Sequence, residues 1–295
     1  MPDRALPFAA PHRPRGRRDL TVHTDVIGRQ AITSLYREVA LASKPGLVSP
    51  RDAGSHRDMD FRTFMRSLHS LRGYFPAIAA CGAGFPGFAP LQRLGVAAEA
   101  EMLAATGGIN THRGAIFNLG LLCAAAGLLV ATGSALTAEA ACATVSLQWG
   151  HAIRASAPRG AAAVSHGLEV ARRYGSGGAR AEAADGFPAA REVGLPAYRG
   201  ALAAGCDTEA AALQALFALM AAVEDTNLLW RGGTAGLAFA RREAAAFLAD
   251  GGVLAGDWRQ RADALHRAFV ARRLSPGGSA DLLGVTLFLD ALERR

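Results

Sequence analysis

In every extended apolar run of this chain the hydrophobic residues return at the third or fourth position, a spacing that covers one face of an α-helix and leaves a strand unprotected on both faces. Ile27, Ala31, Leu35, Val39 and Ala42 predict a helix over 26–42, stopped by Pro45 and Gly46. Phe61, Phe64, Met65, Leu68 and Leu71 predict a second, with Asp58 or Asp60 as its N-cap. The same spacing predicts helices over 91–105, 115–131, 138–153, 166–174, 208–223, 235–249, 258–272 and 280–292. No βαβ alternation interrupts them. Alanine and leucine dominate, aromatics are 7%, and 51% hydrophobic content over 295 residues can bury a large core. The expectation is an all-α, single multi-helix globular domain over 26–295 with glycine-rich ligand loops. The stretch 175–205, rich in glycine and proline, is expected to be a long irregular connection, either a functional loop or a boundary between two helical halves.

The longest apolar run, Leu119 to Ala131, falls short of the roughly 20 residues that cross a bilayer, so it predicts a core helix and no membrane span. Residues 1–25 carry Arg4, Arg13, Arg15, Arg17 and Arg18 among prolines, with no apolar signal region, and predict a disordered basic tail on a cytoplasmic protein. Cys81, Cys123, Cys142 and Cys206 show no Cys-x-x-Cys pairing and are expected to be reduced. A net charge of +7 suits phosphate-bearing partners. The folded part has no nucleic-acid motif and no interleaving of basic with aromatic residues, which argues against nucleic acid.

Two residue types are scarce enough to mark sites. Lys44 is the only lysine beside 31 arginines, so it is expected where a compact ammonium is needed, on a phosphate oxygen or on a carboxylate in a tight place. Asn110, Asn118 and Asn227 are the only asparagines, two of them in polar, glycine-rich junctions where they serve either as caps or as ligand contacts. Gly107-Gly108, Gly177-Gly178, Gly232-Gly233 and Gly277-Gly278 stand near expected helix N-termini, a setting that suits anions and also suits simple turns. Asn110, Thr111, His112, Arg113, Arg180, Glu182, Arg231, Ser275, Ser279 and Asp281 flank them. There is no P-loop, and the Gly82, Gly84, Gly87 fingerprint lacks a preceding strand and is broken by Pro86.

Two acidic clusters stand out. His56, Asp58 and Asp60 precede a helix, where the acids either complement the helix dipole or hold magnesium and move protons. Glu224 and Asp225 come at the expected end of the helix over 208–223, where the dipole disfavours carboxylates, and a metal ion or Arg231 would compensate.

Taken in order, Lys44-Pro45-Gly46-Leu47-Val48, Gly54 to Asp60, Ala105 to Phe117, Gly178 to Glu182, Glu224 to Asn227 with Arg231-Gly232-Gly233, and Leu274 to Leu282 resemble the triphosphoribosyl-dephospho-CoA synthases of citrate lyase and malonate decarboxylase systems, leaning to the malonate decarboxylase branch. Arg113 stands where that family often has lysine, and Ser49-Pro50-Arg51 replaces a more usual Asp-Arg pair. The resemblance implies an enzyme that joins the triphosphoribosyl group of ATP to the 2′-hydroxyl of 3′-dephospho-CoA and releases adenine. The α-linked product is a prosthetic-group precursor for an acyl-carrier subunit, served indirectly through a later transferase, and a homodimer is compatible with it. Breaking an N-glycosidic bond builds positive charge on the ribose, so the triphosphate must be clamped, adenine protonated and the hydroxyl deprotonated. On this basis Lys44, Arg113, Arg180 and Arg231 are assigned to phosphates together with the glycine loops of Gly107, Gly108, Gly232, Gly233, Gly277 and Gly278, and Asn110, Thr111, Glu182, Asn227, Ser275 and Ser279 to substrate binding. Asp58, Asp60, Glu224 and Asp225 are assigned to Mg2+ or base duty, and His56 or His112 to proton transfer. The alternatives are an all-α ADP-ribosyl hydrolase-like N-glycosidase, which would need no acceptor, and a non-catalytic nucleotide- or CoA-binding protein.

Overall fold

A computed structural model describes residues 17–156 and 166–294, which form α-helices with no strand among them. In chain order these are α1 (Arg17–Ala40), α2 (Phe61–Ser70), α3 (Tyr74–Ala83), α4 (Phe88–Thr106), α5 (Arg113–Thr132), α6 (Ala138–Ala155), α7 (His166–Tyr174), α8 (Gly178–Ala184), α9 (Leu195–Ala203), α10 (Thr208–Ala222), α11 (Thr226–Ala249), α12 (Trp258–Ala271) and α13 (Gly277–Glu293). A π-helical turn, Ala189–Gly194, joins α8 to α9, and a 3₁₀ turn, Gly252–Leu254, joins α11 to α12.

Helix α5 is the spine. It is apolar all round, as a helix must be when neighbours cover every face, and it packs on α1, α3, α4, α6 and α13. Its length and composition would let it cross a membrane, but 83% of its apolar window is buried inside the protein, which makes it a core helix. Gly82 and Gly127 explain its close crossing with α3. A methyl group on Gly82 would collide with the Ala124 carbonyl, and one on Gly127 with the Ala79 carbonyl, so the two backbones touch directly. Helix α13 is the second buried rod, with Leu282, Leu283, Val285, Leu287, Phe288 and Leu289 all in the core.

Three expectations need correction. Helix α1 starts at Arg17, so 17–25 is helix and not tail; Leu20, Thr24 and Ile27 continue the three-and-four spacing, and Thr24 is buried. Residues 1–16, the rest of the expected tail, lie outside the described residues. Helix α3 was hidden by Gly73, Pro76, Gly82 and Gly84, yet Pro76 falls in its first turn, where a missing N–H costs nothing. The stretch 175–205 is mostly helical. Glu182 organises it, its Oε1 accepting from the N–H groups of Ala189 (2.7 Å) and Ala190 (3.4 Å) at the start of the π turn.

Candidate active site

The ends of α1, α5, α8, α11 and α13 converge on a cavity of about 730 Å³, inside the range of small-molecule sites. The loop after α1 forms one wall. There Lys44 is 1% exposed, and its Nζ donates to Glu38 Oε1 (2.7 Å) and to the Glu38 carbonyl (2.6 Å). Burial pushes the ammonium's pKa down, and the Glu38 carboxylate opposes this. Both residues line the cavity. Of the two partners expected for Lys44, the structure supplies the carboxylate in a tight place.

His56 follows on the same loop. Arg231 Nη2 donates to His56 Nδ1 (3.1 Å); since arginine cannot accept, Nδ1 is unprotonated and Nε2–H donates to Ser275 Oγ (2.9 Å). Burial, then the Arg231 charge, lowers the His56 pKa to about 4. Arg231 also ties to the carbonyls of Ser55 and Arg273 (3.3 Å each), so it staples this loop to the entry of α13. His112, at the N-cap of α5, is buried, shares a 2.6 Å hydrogen bond between Nδ1 and Ser67 Oγ, and meets Phe64 edge-on. Burial, then Lys44, lowers its pKa to about 3. Both values leave the imidazoles uncharged at neutral pH, so proton transfer by either would start from the neutral ring.

This has a stability consequence. Folded pKa values below the free value of 6.5 mean that the unfolded chain binds protons the folded one refuses, so stability should fall as pH drops from about 6.5 towards 4. Thermal melts across that window should show the loss. It should shrink in His112→Gln, which can still bond Ser67 but cannot titrate.

The acidic residues divide differently from the expectation. Asp60 caps α2: its Oδ1 accepts from the Thr63 N–H and hydroxyl (2.8 Å each), which hold its pKa down. Asp58 is 62% exposed, lies 3.8 Å from His56 Nδ1 and does not line the cavity. Asp225 is 1% exposed and is the N-cap of α11, because α10 ends at Ala222 and a new helix starts at Thr226. Its Oδ1 accepts from the N–H groups of Asn227 (2.9 Å) and Leu228 (3.2 Å), and its Oδ2 from the N–H (2.7 Å) and hydroxyl (2.9 Å) of Ser279. Four donors fill the lone pairs of one carboxylate, at a helix end where the dipole favours it. Only Glu224 of the four expected metal ligands is both open and on the cavity. The set Asp58, Asp60, Glu224 and Asp225 therefore does not fit a protein-held magnesium, and no step below runs through one.

The glycine pairs separate too. Gly277-Gly278 open α13 on the cavity, packed so tightly on Asn227 and Asp225 that a side chain would collide, and Gly177-Gly178 line it at α8. Gly107-Gly108 instead close α4 in the left-handed conformation, and Gly232-Gly233 lie inside α11, which breaks at Gly233. Neither of these two pairs lines the cavity, so ordinary turn and helix-end geometry accounts for them.

Asn110, Thr111, Arg113, Arg180, Glu182, Asn227, Arg231 and Ser275 all reach the cavity. Arg113 is held by Glu99 (2.6 Å), and Arg180 by Ser156 and the Ile153 carbonyl at the end of α6. Ser279 is buried behind the wall as the Asp225 donor. Two lining residues escaped assignment: Asn118, an uninterpreted scarce residue on α5, and Asp281, which was visible only as a neighbour of Gly277-Gly278. The Asp281 carboxyl presses on the Cα of Gly114, where any side chain would displace it. Burial, then the nearby Glu38 and Asp225 charges, raises its pKa well above the carboxylate range, against the pull of the Ala115 N–H. Among the described residues, four buried polar atoms around the cavity have no partner: Thr111 Oγ1, His112 Nε2, Asn118 Oδ1 and Ser176 Oγ.

A helical protein whose cavity combines arginines, a helix N-terminus and a carboxyl whose pKa is pushed up has the equipment of a group-transfer enzyme for phosphorylated substrates. The chain belongs to the ATP:dephospho-CoA triphosphoribosyl transferase family, whose model (CitG) matches residues 24–295. It is similar to the probable 2-(5″-triphosphoribosyl)-3′-dephosphocoenzyme-A synthase of Acinetobacter calcoaceticus, 43% identical over 93% of this chain and 94% of that one. The synthases of Pectobacterium atrosepticum (41% identical; 89% of this chain, 88% of that one) and Klebsiella pneumoniae (42%; 88% of each) are also similar. No solved structure matches.

Proposed function

We propose that the cavity binds ATP and 3′-dephospho-CoA and transfers the triphosphoribosyl group to the acceptor's 2′-hydroxyl with release of adenine. The observation that carries this reading is the set of buried polar atoms around the cavity with no partner among the described residues, which a polar ligand would satisfy. Arg113, Arg180 and Arg231 line the cavity with the N-terminus of α13, and in this reading they meet the phosphates. Magnesium would arrive on the triphosphate, with Glu224 the acid in position to meet it.

In this reading the C1′–N9 bond of ATP breaks, its electron pair leaves with adenine, and the Asp281 proton goes to an adenine ring nitrogen. The acceptor oxygen bonds C1′ and its proton passes to Glu224. ATP is a β-nucleoside and the expected linkage is α, so attack and departure use opposite ribose faces and need separate groups. A cytoplasmic setting suits the four free cysteines. The wording of the sequence blocks favours the malonate decarboxylase system as the destination, through a later transferase acting on an acyl-carrier subunit.

Chromatography of ATP, magnesium and protein, with and without dephospho-CoA, should show adenine appearing only with the acceptor and in step with a triphosphoribosylated product. Equal adenine release without acceptor would make the protein an N-glycosidase instead. No adenine in either case, with both ligands bound, would leave a binding protein.

A further inference from the structure

We infer that Asn118 is the residue that reads an adenine ring in this cavity, because its side-chain amide lies on the cavity face of α5 with its oxygen buried and unpartnered. Asn118 is 1% exposed, lines the cavity, and sits in a helix whose other residues there are apolar. An amide held in such a place without a hydrogen bond is destabilising, so something outside the chain must complete it. Tyr74, Ile78, Phe88, Leu91 and Leu121 supply apolar walls to the same cavity, surroundings that suit a flat ring. An amide presents an acceptor next to a donor. Adenine's amino group and N7 present the complement, and asparagine pairs with that edge in a bidentate fashion. Guanine and hypoxanthine put a carbonyl oxygen where the amino group stands, so the same amide discriminates against them.

Position along α5 gives this contact its meaning. Gly114 is one turn before Asn118 on the same helix face, and the Asp281 carboxyl rests on Gly114. A base held by Asn118 would therefore lie within a turn of the acid assigned to protonate it. This assignment rests on the transferase reading for its substrates, both of which contain adenine, so the test needs an arm for each.

The experiment is calorimetric titration of ATP without acceptor, of dephospho-CoA without ATP, and of 7-deaza-ATP, which lacks the N7 acceptor, into the parent and Asn118→Leu proteins, with melts of both apo forms. The Asn118→Leu apo protein should melt at or above the parent temperature, because a strained amide is replaced by a side chain of similar size. Affinity for one adenine ligand should fall about tenfold or more. A fall confined to ATP, with 7-deaza-ATP equally weak on parent and variant, places the donor's adenine here; a fall confined to dephospho-CoA places the acceptor's. Unchanged affinity for both, or a lowered melting temperature with intact binding, would overturn the inference and make Asn118 structural. If the variant does not fold, equal binding of ATP and dephospho-CoA to the parent in competition with their 7-deaza forms would overturn it as well. These are binding measurements: adenine-selective binding with no adenine release would sink the transferase reading and leave this one standing.

Discussion

An Asp225→Ala protein should melt roughly 10 °C below the parent in the absence of any ligand, a loss of about 3–5 kcal/mol. The carboxylate bridges the first turns of two helices. Removing it leaves the N–H groups of Asn227, Leu228 and Ser279 and the Ser279 hydroxyl without their acceptor in the interior. Asp225→Asn should fall between the two, since its Oδ1 can still cap α11 while its Nδ2 faces the Ser279 donors. Burial raises the Asp225 pKa, against the pull of those four bonds. Differential scanning calorimetry decides the matter. A parent-like melt for Asp225→Ala would mean that the cap contributes nothing and would return Asp225 to the role of a metal ligand.

Lys44→Met should produce a loss of similar size for a different reason. Glu38 is buried beside it, and losing the ammonium leaves that charge uncompensated, which typically costs about 3–5 kcal/mol. The double variant Lys44→Met with Glu38→Leu should recover much of the stability, because removing a whole buried pair is far less damaging than removing half of it. Lys44→Arg keeps the charge but must push a broader group into a space that a lysine fills. It should lose stability as well as turnover. Urea titrations of the two single variants and the double variant measure the coupling; strictly additive losses would show that the 2.7 Å contact carries no energy.

Period and composition were enough for the helical class, because a 3.6-residue repeat is a property of sequence alone. They missed α3 and α9, where proline sits in a first turn and looks like a breaker. The site was legible as a set of segments: the blocks around Lys44, Asn110 to Arg113, Gly178 to Glu182, Asp225 to Arg231 and Ser275 to Asp281 do meet at one cavity. What spacing cannot show is which side chain of a block turns inward. Asp58 and Asp60 carry the same chemistry as Asp281, yet one is in solvent and one caps a helix, while Asp281 is pressed against Gly114 from across the fold. Asp225 was misread for a single reason. A three-residue break after α10 was invisible, so an N-cap looked like a carboxylate at the wrong end of a dipole. Asn118 was hidden by the apolar run around it, and only its rarity marked it.

The proposed transfer requires adenine to be held and released in the cavity between α1, α5 and α13. Photolabelling with 8-azido-ATP followed by peptide mapping tests this most directly. Label on peptides spanning Asn110 to Leu121 or Ser275 to Leu282, suppressed by excess ATP, is the result expected. Label confined to α12 and the 3₁₀ turn before it, none of whose residues lines the cavity, with the cavity peptides unmodified, would contradict it.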